Sequence, residues 1–200
     1  CRKNVMLSLN IDKITEKDLK AVVDTAAKRL VEASGSSMEL VDYTSYAHRS
    51  STTPGHYVVF WEVGGEVVAN RRRSMAYKKK RACEEQEEEE RKQSSSAAGD
   101  EVVVGGPKAE EWEVLGECAA LMDGSLVEAG YVTSRKMGSI GPLELCVVRR
   151  GTFSRLLDRF MQSGAAMAQY KTPRCLVSAD ALALLRSSAV ASFFSSAALS

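Results

Sequence analysis

Hydrophobic and polar positions follow two different periods along this chain, and the changes of period predict its elements. Residues 4–11, NVMLSLNI, mix β-branched and long apolar side chains and predict a strand. Thr15 and Asp18 then have the spacing of a helix capping box. Apolar residues recur on one face of the helix that follows, namely Leu19, Val22, Val23, Ala26, Ala27, Leu30 and Val31. Residues 34–37 end this helix, and residues 38–43 predict a second strand.

The most apolar stretch covers residues 57–63, YVVFWEV, between a Pro-Gly pair and a Gly-Gly pair. A nearly continuous run of aromatic and β-branched side chains is typical of a buried strand, so we predict a central strand here. Apolar spacing further predicts a helix over residues 112–126, a strand over residues 143–148, a helix capped by Thr152 and a short helix after Ser178. This order predicts an α/β (α+β) fold with a small open mixed sheet flanked by helices.

Residues 70–99 interrupt the pattern with a basic block, an acidic block and a serine-rich block. Such a segment buries too little apolar surface to order itself, so we predict an insertion between the domain segments 4–69 and 100–200. The basic run has the charge to contact nucleic-acid phosphates, with Tyr77 available for stacking. The adjoining acidic run would repel those phosphates, which favours a self-neutralising solvated loop.

The overall composition narrows the function classes. The 200 residues carry 27 basic and 26 acidic side chains, so no net field draws the chain to nucleic acid or to a membrane. No apolar run reaches the roughly 20 residues that span a bilayer. Five cysteines without a CxxC pair argue against a disulfide framework and a zinc site, and they favour a reducing compartment. We expect a cytoplasmic protein and, because the chain begins with Cys1, a fragment.

Two lysines stand at the ends of predicted elements. Lys13 follows the first strand, and Lys171 lies in residues 169–175, QYKTPRC, where Thr172 precedes Pro173. Proline fixes its own φ and keeps the preceding residue extended, so Lys171 projects from a stiff segment. An ammonium group suits a phosphate ligand. Spacing alone nevertheless favours ordinary surface lysines, because no glycine-rich phosphate loop accompanies them.

The two histidines of the chain, His48 and His56, lie in a segment rich in serine and threonine. No GxSxG elbow accompanies them, which argues against a serine nucleophile with a histidine base. Their spacing to Cys, Asp and Glu does not match a metal site. A turn-rich loop leading into a strand is the favoured interpretation, and we expect no metal site built from side chains.

Four stretches of the chain together resemble one family. They are KNVMLSLNIDK at residues 3–13, YTSYAHRSSTTPGHYVVFWEV at 43–63, GYVTSRKMGSIGPLELCVVRRGTF at 130–153, and QYKTPRC. In this order they resemble the C-terminal domain of the plant auxin-responsive acyl acid amido synthetases, adenylate-forming enzymes that join a hormone acid to an amino acid. The resemblance implies the mobile C-terminal domain of a firefly-luciferase-like fold. It also implies a large N-terminal domain that holds the acyl pocket and most of the ATP site.

The resemblance implies a reaction in two steps. ATP and a carboxylate give an acyl adenylate and pyrophosphate, and the amine of an amino acid then attacks to give an amide and AMP. Lys13, in the DK pair, and Lys171, in the QYK motif, match the lysines that approach the ATP phosphates, with Mg²⁺ accompanying ATP and Lys171 acting in catalysis. Rotation about a hinge at Cys1, Arg2 and Lys3 would deliver or withdraw Lys171 between the steps.

The resemblance also places one strand near the incoming amino acid. Its residues are Leu145, Cys146, Val147, Val148 and Arg149. The alternative for them is an ordinary sheet strand. The stretches AAKRL, GYVTSRK and GPLELCVV look closer to the jasmonate-conjugating branch than to the indole-acetate branch. For the whole chain, the alternative is a stand-alone or truncated domain that binds a small molecule or a protein without catalysis.

Overall fold

The computed structural model of the chain describes residues 6–65, 109–162 and 171–197. The hinge predicted at residues 1–3 and the insertion predicted at residues 70–99 lie outside the described residues. In chain order the elements are β1 (Met6–Leu7), β2 (Ile14–Thr15), α1 (Glu16–Ala33), β3 (Glu39–His48), β4 (His56–Gly64), α2 (Ala109–Ser125), α3 (Ala129–Lys136), β5 (Glu144–Val148), α4 (Thr152–Gln162), α5 (Ala179–Ser188) and β6 (Ala189–Phe194).

The first strand is shorter than its apolar pattern predicts. The buried carboxylate of Asp12 accepts hydrogen bonds from the backbone amides of Leu9 at 3.1 Å and Asn10 at 2.7 Å. When an aspartate carboxylate accepts hydrogen bonds from the amides of the preceding residues, the chain bends into a turn. β1 therefore ends at Leu7. The chain then returns as β2, which pairs antiparallel with β1 and was not predicted.

The capping box at the start of α1 is confirmed. The hydroxyl of Thr15 accepts a hydrogen bond from the amide of Asp18 at 3.2 Å, and the Asp18 carboxylate accepts one from the Thr15 amide at 3.1 Å. Hydrogen bonds from the Thr15 hydroxyl and amide lower the pKa of Asp18. The buried face of the helix is narrower than predicted, because Val31 is exposed. Its buried residues are Leu19, Val22, Val23, Ala26 and Leu30.

A mixed four-stranded sheet with the order β3-β4-β5-β6 lies at the centre of the fold. β3 and β6 pair antiparallel with their neighbours, whereas β4 and β5 run parallel. β4 therefore lies between two partners, and the prediction of a central strand is confirmed. The strand β6 was not predicted, because its sequence, AVASFF, is rich in alanine and serine and continues the pattern of the preceding helix.

Helices cover both faces of this sheet. Alternate residues of β4 point to opposite faces, so Trp61 packs in the core with α1 and α2, whereas Phe60 packs in the core with α4 and α5. The predicted fold class, an open mixed sheet flanked by helices, is confirmed by this arrangement. None of the described helices is long and apolar enough to cross a membrane.

The start of α4 differs from the prediction that Thr152 caps it. The Thr152 hydroxyl instead donates to the carbonyl of Arg149 at 2.6 Å. The carboxylate of Glu62, in β4, accepts hydrogen bonds from the amides of Gly151 at 2.7 Å and Phe153 at 2.8 Å. A negative charge at the amino end of a helix is favourable because that end carries unpaired amides and a partial positive charge. A distant strand therefore supplies the cap.

A row of polar side chains crosses the end of the sheet where β4 begins. His56 Nε2 lies 3.0 Å from Glu144 Oε2, the rings of His48 and His56 are 4.9 Å apart, and Ser192 donates to Glu144. Burial lowers the pKa of His48, and the charges of His56 and Arg186 lower it further, against an opposing effect of Glu144. The two histidines thus occupy paired strands, and the predicted turn-rich loop lies between them.

Acid should destabilise the fold by protonating His48, a member of this row. Because the pKa of His48 in the folded protein lies below the ordinary value of 6.5, its contribution to stability is complete above that value and is lost as the pH falls through the folded pKa. We expect the free energy of unfolding in urea to decrease as the pH falls below about 6.5 and through the lowered pKa of His48. His48→Phe should remove much of this decrease, and an unchanged pH dependence in His48→Phe would contradict the assignment.

Candidate functional site

The segment that follows Lys171 is docked along the outer edge of β3. The amide of Ser45 donates to the carbonyl of Arg174 at 2.9 Å, and the amide of Leu176 donates to the carbonyl of Ser45 at 2.8 Å. Through these bonds Ser45 and Cys175 form a parallel bridge. Residues 171–176, called the lysine segment below, are therefore anchored by backbone hydrogen bonds to the sheet.

Side chains of β3 hold the lysine segment as well. Asp42 accepts a hydrogen bond from the Thr172 hydroxyl at 2.5 Å and another from the Arg174 guanidinium at 2.6 Å. The guanidinium of Arg174 also lies 4.1 Å from the centroid of the Tyr43 ring, within the range of a cation–π contact. The residues directly after Lys171 are thus fixed by charge, hydrogen bonding and packing together.

Lys171 itself is exposed at the start of this segment. Within the described parts of the chain, its ammonium group forms no ion pair. Thr172 and Pro173 follow it, and the carbonyl of Pro173 accepts a hydrogen bond from the Thr44 hydroxyl at 2.5 Å. A fixed backbone whose cation forms no ion pair with the described residues is the arrangement suited to an external anion.

Lys13 is exposed in the turn between β1 and β2. The neighbouring Asp12 is buried and accepts a hydrogen bond from the Tyr57 hydroxyl of β4. The amide of Lys13 lies 3.4 Å from Glu128 Oε2, and the same carboxylate accepts from the Tyr131 amide at 2.7 Å to cap α3. The turn that carries Lys13 is therefore joined to the sheet and to a helix end.

Gly130 packs closely against the turn that carries Lys13. A Cβ atom at Gly130 would lie 2.9 Å from the Ile11 carbonyl oxygen and 3.0 Å from the Asp12 Cα, and neither backbone atom can rotate away. We expect Gly130→Ala to lower the free energy of unfolding by about 1–3 kcal/mol, measured in urea. The control is Gly116→Ala in α2, where the nearest atom would be 4.0 Å away. It should stabilise the helix by up to about 1 kcal/mol, and equal effects of both changes would contradict the close approach.

The segments that carry the two lysines meet at one small cavity. Its volume is about 10 Å³, and it is lined by Leu7, Ile14, Thr15, Glu16, Leu19, Arg174 and Cys175. Ile14 follows Lys13 directly, and Arg174 belongs to the lysine segment. The structure thus brings the lysine-bearing segments side by side. The cavity itself holds no more than about one water molecule and is too small for a nucleotide.

A larger open groove of about 490 Å³ lies between α1 and the start of β3. Its charged lining residues are Asp24, Lys28, Glu32 and Glu39. Three carboxylates against one ammonium group make the groove negative, which disfavours a triphosphate. Neither of these two cavities therefore suits ATP.

The strand predicted to face the amino acid is buried in the sheet. The side chains of Leu145, Cys146, Val147 and Val148 are all buried, whereas Arg149, just beyond β5, is exposed. Burial raises the pKa of the Cys146 thiol to about 12, so this thiol is protonated at neutral pH. β3 and β4 separate β5 from the lysine segment, and the structure does not bring these residues to Lys171.

Comparison with known proteins agrees with this fold. The sequence profile of the GH3 family C-terminal domain matches residues 17–180. The chain belongs to the GH3 family. A solved structure of the GH3.15 acyl acid amido synthetase superposes with a TM-score of 0.70 at 30% sequence identity, covering 100% of this chain and 28% of that protein. The resemblance carried by the four sequence stretches is therefore confirmed, and the fold is that of a GH3 C-terminal domain.

Curated GH3 relatives carry different acids in their names. A jasmonoyl-L-amino acid synthetase of Nicotiana attenuata is 41% identical over 98% of this chain and 26% of the relative. An indole-3-acetic acid-amido synthetase of Arabidopsis thaliana is 37% identical over 98% of this chain and 25% of the relative. A 4-substituted benzoates-glutamate ligase of the same plant is 40% identical over 97% of this chain and 28% of the relative. The chain thus spans about a quarter of the length of these ligases, and the identities do not single out one acid.

The sequence alone did not predict which residues of this GH3 domain hold the lysine segment. They are Asp42, Thr44, Ser45 and Arg174. The three members in β3 lie far from Lys171 along the chain, so no local motif joins them to it. The run DYTS gives no signal of this contact, because polar and charged side chains are ordinary on the edge strand of a sheet.

Proposed function

We propose that this chain is the C-terminal domain of an ATP-dependent acyl acid amido synthetase, which adenylates a plant hormone carboxylate and conjugates it to an amino acid. The observation that carries the proposal is the lysine segment. It presents Lys171 as an exposed ammonium group on a backbone anchored to β3, in a chain whose family members are acyl acid amido synthetases. Lys13 supplies a second exposed cation from the adjoining turn.

The chemistry of adenylation gives these cations a role. A carboxylate oxygen of the acid attacks the α-phosphorus of ATP, the bond to the bridging oxygen breaks, and pyrophosphate leaves with the electron pair. Negative charge grows on the departing phosphates, so an ammonium group fixed beside them stabilises the transition state more than the ground state. Lys171 is the proposed catalytic cation, and Lys13 assists in holding the phosphates.

The second step consumes the acyl adenylate. The amine of the amino acid attacks the acyl carbon, loses a proton, and AMP leaves, so Lys171 is no longer needed once pyrophosphate has gone. The Mg²⁺ would come as the counterion of ATP, held by the phosphate oxygens, and within the described residues no group of three or more His, Cys, Asp and Glu is placed to hold a metal ion.

The larger part of the enzyme completes the site. The small cavity is too small for ATP, the negative groove disfavours a triphosphate, and the ligases compared above are about four times as long as this chain. We therefore assign the acyl pocket and most of the ATP site to an N-terminal domain of the same enzyme, with the isolated chain inactive. Of the residues proposed to meet the amino acid, Arg149 has the side chain exposed for that contact.

Product analysis of the full-length enzyme tests this function. The enzyme is incubated with ATP, an amino acid mixture and one acid at a time, and the conjugate and AMP are measured by mass spectrometry. We expect one conjugate, with AMP in equal amount, and jasmonate is the acid favoured by the sequence. A folded full-length protein that binds an acid or ATP but forms no conjugate would instead support a binding domain without catalysis.

A further inference from the structure

The carboxylate of Asp42 bridges the two residues on either side of Pro173. Its Oδ2 accepts from the Thr172 hydroxyl at 2.5 Å, and its Oδ1 accepts from the Arg174 guanidinium at 2.6 Å. One side chain therefore fixes both neighbours of the proline, directly after Lys171. This bridge helps to fix the path of the backbone out of Lys171, together with the bonds from Thr44 and Ser45.

The surroundings of the bridge strengthen it. Asp42 and Arg174 keep only 24% and 29% of their side-chain surface exposed, so water screens their pairing incompletely. Arg174 also donates to the Tyr43 carbonyl at 2.5 Å and lies over the Tyr43 ring. Because Arg174 is neutralised by Asp42, the exposed positive charge of the lysine segment belongs to Lys171.

A local irregularity of β3 sets the direction of Asp42. The register with β4 shifts between Leu40 and Asp42, which is the signature of a β-bulge, and Val41 is left 53% exposed. Bulges re-aim the side chains that follow them. Beyond the bulge Asp42 is opposite Glu62, and its carboxylate contacts the lysine segment.

We propose that Asp42 is a positioning residue for adenylation, which acts through Thr172 and Arg174 to hold the Lys171 ammonium group at the leaving pyrophosphate. This inference rests on the function proposed above. A displacement of about 1 Å in a reacting group can lower turnover by about 100-fold, so loss of the bridge should be visible in kcat. The KM for the acyl acid should be unchanged, since Asp42 does not touch that substrate.

A double-mutant cycle in the full-length enzyme tests the inference. Asp42→Ala, Lys171→Ala and the double variant are compared with the wild type by ATP–pyrophosphate exchange. We expect Asp42→Ala to lower kcat by about 10- to 100-fold and to cause less than about a twofold further loss when Lys171 is already alanine. Asp24→Ala is the matched control, because Asp24 pairs with Lys20 on α1 and does not touch the lysine segment. It should leave kcat unchanged.

A less disruptive variant tests the same inference if Asp42→Ala fails to fold. Thr172→Val removes only the hydroxyl, and it should lower kcat by a smaller factor that also disappears in the Lys171→Ala background. Additive losses, or full activity of Asp42→Ala, would overturn the positioning role while Lys171→Ala remains impaired. Full activity of Lys171→Ala would overturn the catalytic role of Lys171 and, with it, this inference.

Discussion

Lys171→Ala in the full-length enzyme is expected to lower ATP–pyrophosphate exchange by about 100- to 1,000-fold. The ammonium group is exposed, it has no ion-pair partner within the described residues, and the segment behind it is anchored to β3. A preorganised charge of this kind stabilises the growing charge of pyrophosphate without having to reorganise during the reaction. A surface lysine without this role would change the rate very little.

The control for this variant is Lys28→Ala, which removes another exposed lysine, from α1. Supplying the acyl adenylate directly separates the two steps, because formation of the amide from it no longer releases pyrophosphate. We expect Lys171→Ala to form the amide from supplied acyl adenylate at close to the wild-type rate. Wild-type exchange by Lys171→Ala, or an equal loss in Lys28→Ala, would refute the catalytic assignment.

Asp12→Ala is expected to lower the free energy of unfolding by about 3 kcal/mol. The Asp12 carboxylate is fully buried and accepts hydrogen bonds from the Tyr57 hydroxyl and from the amides of Leu9 and Asn10. Its removal leaves the buried Tyr57 hydroxyl without its acceptor and frees the turn that carries Lys13. Urea unfolding measures the first effect, and the KM for ATP in the full-length enzyme, which should rise, measures the second.

The change Tyr57→Phe isolates the part of this cost that comes from the orphaned hydroxyl. Tyr57→Phe alone removes one donor to Asp12, whereas in the Asp12→Ala background it removes a group that has lost its acceptor. We therefore expect Tyr57→Phe to destabilise the wild type and to stabilise Asp12→Ala, each by about 1 kcal/mol. The same sign of effect in both backgrounds would contradict the hydrogen bond.

Local patterns predicted those elements whose causes lie within a few residues. The capping box of Thr15 and Asp18 and the apolar run of β4 were read correctly because side-chain spacing and composition determine them directly. The short length of β1 was missed because Asp12 draws the preceding amides into a turn. The cap of α4 was missed because Glu62 reaches it from another strand.

The candidate site likewise has features that the local sequence predicts and features that it does not predict. The Thr172-Pro173 pair indicated a stiff backbone after Lys171, because proline restricts both residues whatever the fold. The anchoring of that backbone by Asp42 was not predictable from local sequence, since it depends on how the chain end returns to the edge of β3. The roles of Lys13, Lys171 and the strand from Leu145 to Arg149 came from the family resemblance and stay predictions.

Acid-dependent ATP–pyrophosphate exchange by the full-length enzyme tests the proposed function most directly. The acids are jasmonate, indole-3-acetate and a 4-substituted benzoate, each compared with a reaction that lacks acid. We predict exchange that requires one of these acids and is absent without it. A folded full-length enzyme that exchanges pyrophosphate with none of them would contradict adenylation and leave a binding domain as the function of this fold.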